Sequence, residues 1–321
     1  MSQAVAFTRA SNYDRPEIDQ AVTTLLDAWG GMGHFVKPGD RVLLKPNLLT
    51  GSRPTKECVT RIELVAAVAR QVQAVGGKPF LGDSPAFGSA QGVALANGYA
   101  PLLAELNLPL VEFQGKRYAV DSDQFQHLRL SKEAMEADVV INLPKVKSHM
   151  QLTVTLGVKN LFGCVPGKMK AWWHMEAGKD KERFGAMLVE TAKAIDADLT
   201  ILDGIIGHEG NGPSAGEPRF LGWLGAADNV FALDRAVIDI LGVDPAQVPT
   251  IVAADRLGYA PAAYTDLIFP LLSPSDLSLQ DWKLPDNLMP IDFGAPRVLK
   301  STFKHLYIRF IKEPLTAYSN R

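Results

Sequence analysis

The sequence predicts an α/β fold, a mainly parallel sheet with helices on both faces, plus a smaller irregular C-terminal portion. Three features carry this reading. Apolar runs of strand length alternate with amphipathic runs of helix length along most of the 321 residues. The strand-length runs are apolar almost without interruption, as strands covered on both faces are. After Pro245 proline recurs too often for long helices or a central strand.

Taken in order, "AVAFT" reads as a first strand and "PEIDQAVTTLLDAWG" as an amphipathic helix with proline in its first turn. "RVLLKP" is a buried strand, "RIELVAAVARQVQAVGG" a helix closed by glycine, and "PFLGD" the next strand. "ADVVINLP" and "DLTILDG" are further strands separated by the helix "DKERFGAMLVETAKAIDA". "AADNVFALDRAVIDILG" is a helix that Asp228 or Asn229 can cap. Residues 1–240 form the α/β body in this reading, and residues 241–321 a wrapping segment that ends in an amphipathic helix. In that helix Phe303, Leu306, Tyr307, Phe310 and Ile311 share one face, away from most of the basic residues. Docking on the protein itself or on a second copy in a homodimer is the first expectation for this face, and an anionic membrane surface the second.

Composition excludes several classes. The net charge of −2 gives no whole-molecule attraction to nucleic acid, so any electrostatic partner must be met locally. Cys58 and Cys164 alone cannot build a disulfide framework or an iron–sulfur site. No apolar run spans a bilayer, and the N-terminal segment lacks a basic region followed by an apolar core, so a cytoplasmic location is expected. Neither a P-loop nor a dinucleotide glycine fingerprint is present, nor a nucleophile elbow.

Polar residues gather at the carboxyl ends of the predicted strands: Lys45 and Asn47 after "VLL", Asp83 and Ser84 after "FLG", Lys145 after "VINLP" and Asp203 after "LTIL". Ligands of open parallel sheets bind beyond those ends, because the loops following each strand collect at one rim. The stretch "PKVKSHMQLTVTLGVKNLFGCVPGKMK" leaves the same rim with five lysines and no acid. Lys45, Asn47, Ser84, Lys145, Lys147, Lys159, Asn160 and Asn211 are therefore expected to hold a small anionic ligand, with ordinary surface charge as the alternative for each lysine. His149, beside Lys145 and Lys147, is expected to stay neutral and to serve as a base. In "ILDGIIGHEGNGPSAGEP", read as a strand end and a glycine-rich loop, Asp203 and Glu209 are candidate acid–base groups. With Asp83 and Asp228 they also offer hard oxygens for a divalent metal such as magnesium.

Five motifs in this order, "LLKPNLL", "GDSPAFG", "INLPKVKSH", "GVKNLFGCVPG" and "DGIIGHEGNGPSAG", resemble the family catalogued as domain of unknown function 362, from about Arg41 to Asp234. The resemblance implies an α/β domain. Many relatives add a cysteine-rich, ferredoxin-like segment, which this chain lacks. Two functions are expected: an enzyme acting on a small phosphate- or carboxylate-bearing metabolite, with or without a metal, or a non-catalytic protein that binds a ligand, cofactor or partner at the same rim.

Overall fold

The computed structural model describes residues 3–51, 54–167, 169–176, 180–259 and 264–291, with Phe303, Tyr307, Ile308, Phe310 and Glu313 beyond them. The chain begins with β1 (Ala6–Arg9) and α1 (Arg15–Asp27), which carries Pro16 in its first turn and buries Ile18, Val22, Leu25 and Leu26. Strand β2 (Arg41–Pro46), helix α2 (Ile62–Ala74) and strand β3 (Lys78–Asp83) make a parallel βαβ unit. Short helices α3 (Ala90–Ala96) and α4 (Ala100–Glu105) lead to the edge strand β4 (Leu110–Glu112). A separate hairpin, β5 (Gly115–Ala119) and β6 (His127–Ser131), and the single-turn α5 (Lys132–Met135) follow.

The chain then returns to the centre through β7 (Val139–Leu143), passes Pro144, and runs on as β8 (Lys145–His149) and the antiparallel β9 (Thr153–Thr155). Helices α6 (Gly157–Leu161), α7 (Met169–Glu176) and α8 (Lys181–Ile195) precede a long hairpin of β10 (Leu199–Glu209) and β11 (Glu217–Ala227). The last long helices are α9 (Val230–Ile240), capped by Asn229, and α10 (Pro249–Arg256). The sheet order is β1-β11-β10-β7-β2-β3-β4, with β8 and β9 attached to the end of β10. The strands from β10 to β4 in this order are parallel, and the β1–β11–β10 side is antiparallel.

Alternation along the central strands covers both faces. Val42 and Leu44 of β2, with Val139 and Ile141 of β7, join the core under α1 and α2. Leu43 and Val140, pointing the other way, join the core under α8. Every side chain of β2 after Arg41 is buried, which explains the unbroken apolar reading of "VLL".

One sequence expectation changes. The glycine-rich segment after Asp203 is strand rather than loop as far as Glu209, so Asp203, His208 and Glu209 all lie within β10. Gly204 and Gly207 are there to make room for indoles: an added Cβ would sit 2.6 Å from Trp223 and 3.0 Å from Trp282. The C-terminal amphipathic helix lies outside the described residues except at five positions. At those, Phe303, Tyr307 and Phe310 of the expected docking face are exposed by 68%, 56% and 67%. Glu313 reaches the body, where its carboxylate accepts from the N–H (2.9 Å) and Oγ (2.7 Å) of Ser89, the N-cap of α3. Among the described residues no helix is long and apolar enough to cross a membrane.

The segment from 264 to 291 borders the sheet. Ile268 exchanges backbone hydrogen bonds with Val5 and Gln3 along the free edge at β1, and Lys283 and Met289 bond to Gly210 and Met150. Helix α10 approaches α8 closely because residue 185 has no side chain, so that an added Cβ would meet the Pro249 carbonyl oxygen at 2.5 Å. Gly185→Ala is expected to lower stability by about 1–3 kcal/mol, the usual cost of overpacking against backbone, measured by urea denaturation.

Candidate functional site

The carboxyl ends of β2, β3 and β7 and the start of β8 place charged side chains inside the protein rather than on its surface. Lys45, Lys145 and Lys147 are all fully buried. A buried ammonium is costly unless something replaces its water, and each of these is held differently.

Lys45 pairs with Asp83 at 2.9 Å and donates to the Pro46 carbonyl at 2.8 Å. The Asp83 carboxylate also accepts from the N–H groups of Leu48 (2.8 Å) and Ser84 (2.9 Å). Burial alone would raise the Asp83 pKa; the charges of Lys45 and Lys170 and the N–H donors overcome it and hold the group below its ordinary value. Gly163 covers this pair so closely that an added Cβ would collide with the Asp83 carboxylate and lie 2.5 Å from Lys45 Nζ. That contact accounts for the glycine in "LFGC".

Lys145 meets Asp203 at 3.0 Å, Glu57 at 3.3 Å and the Tyr13 hydroxyl at 3.0 Å. Tyr13 in turn donates to Asp203 at 2.6 Å, and burial followed by the Asp203 charge pushes its pKa well up. Arg61 pairs with Glu57 at 3.0 Å and lies 4.7 Å from the Tyr13 ring centroid, while its backbone N–H donates to Asp203 at 3.1 Å. Both carboxylates are thereby committed.

Asparagines link Lys45 to Lys147. Asn160 accepts from Asn47 (3.0 Å) and donates to Asn142 (2.8 Å) and to the Lys45 carbonyl (3.2 Å). The helix carrying Asn160, α6, is pinned at its start by Asp234 of α9, which accepts from Gly157 N–H at 2.7 Å and Val158 N–H at 3.0 Å. Burial raises the Asp234 pKa to about 7 in spite of those two donors.

Three lysines are left without a carboxylate partner among the described residues. Lys147 donates to Asn47 Oδ1 and the Cys58 carbonyl, each at 2.8 Å, and burial lowers its pKa to about 8. Lys170, partly buried on α7, donates to the Ser84 carbonyl and is lowered to about 8, chiefly by burial. Lys159, partly buried on α6, makes no hydrogen bond or ion pair among the described residues; its Nζ lies 4.5 Å from the Phe162 ring centroid, and that of Lys170 lies 6.0 Å from the same ring. Burial, then the charges of Lys170, Lys147 and Lys45, bring Lys159 down to about 7. Beside them His149 accepts the Gln151 N–H on Nδ1 at 3.1 Å, and burial with the Lys159 and Lys147 charges keeps it neutral. Cys164 is inert here, its thiol pushed up to about 12 by burial.

Lys45, Asn47, Asp83, Ser84, Lys145, Lys147, His149, Lys159, Asn160 and Asp203 thus belong to one connected region, with their roles redistributed. Lys45 and Lys145, expected to hold the ligand, already carry carboxylates, and Asn47 and Asn160 are framework. Lys147 is fully enclosed rather than a rim charge. Glu209 and Asn211 do not join the site: Glu209 accepts the Lys283 N–H at 3.1 Å, and Asn211 bonds Asp286 at 2.8 Å, both fastening the C-terminal segment. Asn229, not Asp228, caps α9. Among the described residues no three His, Cys, Asp or Glu side chains come together to share a metal, so Asp83, Asp203, Glu209 and Asp228 are not a common ligand set. Their oxygens answer lysines and backbone N–H groups instead. Sequence reasoning missed Tyr13, Glu57 and Arg61, which lie outside the predicted strand ends, and passed over Asn142 within the predicted strand "ADVVINLP" and Lys170 at the end of the acid-free stretch.

Fold and site together define an α/β protein with a lysine-rich, largely buried cluster at the carboxyl ends of its central strands. Residues 42–239, well over half of the chain, match the family model described as Domain of unknown function (DUF362), and the chain belongs to that family. It is 66% identical, over the full length of both chains, to the "Thylakoid-associated protein sll1697" of Synechocystis sp.. The lactate racemase apoprotein from Thermoanaerobacterium thermosaccharolyticum is similar in fold alone, with a TM-score of 0.50 and 11% identity; the likeness covers 75% of this chain and 57% of that one.

Folding lowers Lys147, Lys159 and Lys170 from 10.5 to about 8, 7 and 8. Between those values and 10.5 the unfolded chain binds more protons than the folded one, so stability rises with pH across this window and is lost as pH falls through the folded values. Urea denaturation of the ligand-free protein should give a higher midpoint near pH 9.5 than near pH 7, a difference that shrinks in Lys159→Met.

Proposed function

We propose that this protein is an enzyme acting on a small metabolite that bears a phosphate or carboxylate, bound at the mouth of the lysine cluster. The observation that carries the reading is the charge surplus: Lys45 and Lys145 are neutralised, whereas Lys147, Lys159 and Lys170 have no carboxylate partner among the described residues. An anion would supply the missing charge and raise all three depressed pKa values. Lys159 and Lys170 flank the entrance over Phe162, and Lys147 adds positive potential from beneath. His149, neutral and in the same field, is the group suited to proton transfer. A pure anion receptor is the alternative, and the presence of His149 among cations favours the enzyme. No metal step is assigned to the described carboxylates.

Sulfate or phosphate should raise the thermal midpoint most below about pH 7, where all three lysines are charged, and progressively less as pH rises through the range of about 7–8. Lys170→Met should weaken anion binding roughly 10–100-fold, the value of one charge-assisted hydrogen bond, without loss of fold. An unchanged anion response in Lys170→Met and Lys159→Met would return these lysines to ordinary surface charge.

We propose further that the C-terminal segment attaches the protein to a membrane surface. Phe303, Tyr307 and Phe310 recur at the spacing of one helical face and are exposed, and the full-length relative carries the name thylakoid-associated. Such attachment is peripheral and leaves the α/β body in the aqueous phase, for which the cytoplasm remains the proposed compartment. Vesicles of phosphatidylcholine and phosphatidylglycerol should sediment the protein, and replacing the three aromatics by serine should abolish this with the thermal midpoint unchanged. If the triple variant instead turns a dimer into a monomer and vesicles never bind, a second copy is the partner.

A further inference from the structure

We propose that Lys159 is an amine nucleophile that forms an iminium bond with the carbonyl carbon of a small substrate whose neighbouring anionic group is held by Lys170 in the positive field of the buried Lys147; this rests on the anion-binding reading above.

The five lysines of the cluster differ in what engages Nζ. Lys45 has Asp83, the Pro46 carbonyl and Asn160. Lys145 has Asp203, Glu57 and Tyr13. Lys147 has two acceptors, Asn47 and the Cys58 carbonyl, and Lys170 has the Ser84 carbonyl. A lysine whose protons are all engaged by acceptors keeps them, and its nitrogen lone pair is not available. Lys159 alone of the five has neither a hydrogen bond nor an ion pair among the described residues, so the Phe162 ring face is all that is seen to favour its charged form over the free amine.

Its position is fixed while its tip is free. Asp234 clamps the first two N–H groups of α6, and Asn160, the next residue, is locked to Asn142 and to the Lys45 carbonyl. Only the four-carbon stem of Lys159 can move, and it is partly open to solvent, unlike Lys147 beneath it. Desolvation and cationic neighbours are the two devices that activate an amine at neutral pH, and both act here. With a pKa of about 7, near half of Lys159 is neutral at pH 7. For an ordinary lysine the neutral fraction is roughly one in a few thousand.

The chemistry balances without an oxidant or reductant. Neutral Nζ adds to the carbonyl carbon, the oxygen takes up a proton, and nitrogen gives one up, leaving a carbinolamine. Lys170, an ammonium lowered to about 8, is a suitable acid to protonate the hydroxyl, which departs as water while the nitrogen lone pair forms the C=N⁺ bond. One amine, one carbonyl and one proton become one iminium and one water. The new cation keeps the place over Phe162 that the ammonium occupied.

The test uses the full-length protein with pyruvate or glyoxylate, small carbonyl compounds carrying a carboxylate, and borohydride near pH 7, followed by intact mass and peptide mapping. A single reduced adduct on Lys159 is expected, suppressed by sulfate, absent with acetone, and absent in Lys159→Arg and Lys159→Met; Lys170→Met should lower its yield at least tenfold. Mapping of the unmutated protein decides the point even if a variant folds poorly. No adduct, or label spread over exposed lysines such as Lys132 and Lys283, overturns the proposal. Thermal stabilisation by sulfate in the same samples separates the two ideas. If sulfate stabilises and no adduct forms, the iminium alone is lost, and if neither occurs, anion binding is lost with it.

Discussion

The structure depends on burying several ammonium groups behind the ends of a parallel sheet. Removing an ammonium from water costs several kcal/mol even after the protein relaxes around it, so each one dictates its surroundings. Lys45 requires Asp83, and Asp83 requires the N–H groups of Leu48 and Ser84 and a glycine at position 163. Lys145 requires Asp203 and Glu57, and these in turn draw in Tyr13 and Arg61 from segments far apart in sequence. The asparagine contacts between Lys45 and Lys147 fix α6, so the path of the chain after β9 is set by polar contacts as much as by apolar packing.

Compensation is complete for two of the lysines and incomplete for three. A protein selected for stability alone would gain from replacing Lys147, Lys159 and Lys170 by apolar residues, because burial without a carboxylate partner disfavours their charged forms. Local rules are broken in this way at functional sites, where the strain is relieved by a ligand. The pattern also ranks the lysines. Lys45 and Lys145 have carboxylate partners inside the fold, and Lys147, Lys159 and Lys170 have none among the described residues.

Much of the fold was legible because strand ends announce themselves. Lys45, Asp83 and Lys145 each follow an apolar run, and topology alone brings the ends of parallel strands together. The partners were not legible. Glu57 and Arg61 lie in an irregular stretch before α2, and Tyr13 precedes α1, where no spacing relates them to β8 or β10. The reversal of roles has the same origin: sequence places a lysine at a rim but does not show which acid will reach it. Glycines misled in β10, where Gly207 read as a loop residue and instead lies in the strand, close to Leu221 and Trp282. Gly204, inside the predicted strand, makes room for its cross-strand neighbour Trp223, and that neighbour became visible only with the β10–β11 register.

The tail and the mouth of the site are tied to opposite ends of one short segment, 83–89. At its start Asp83 is held by Lys45 and two backbone N–H groups, and Ser84 supplies the carbonyl that holds Lys170. At its end Gly88, with φ of 86°, lets the chain turn so closely that an added Cβ would lie 2.5 Å from Glu313, whose carboxylate engages the cap of α3 at Ser89. The two ends differ in stiffness. Asp83 has three partners and stays in place whatever the tail does, whereas Lys170 meets this segment through one carbonyl. A shift of the tail that moved the segment would therefore be felt at Lys170 before it reached any member of the paired clusters.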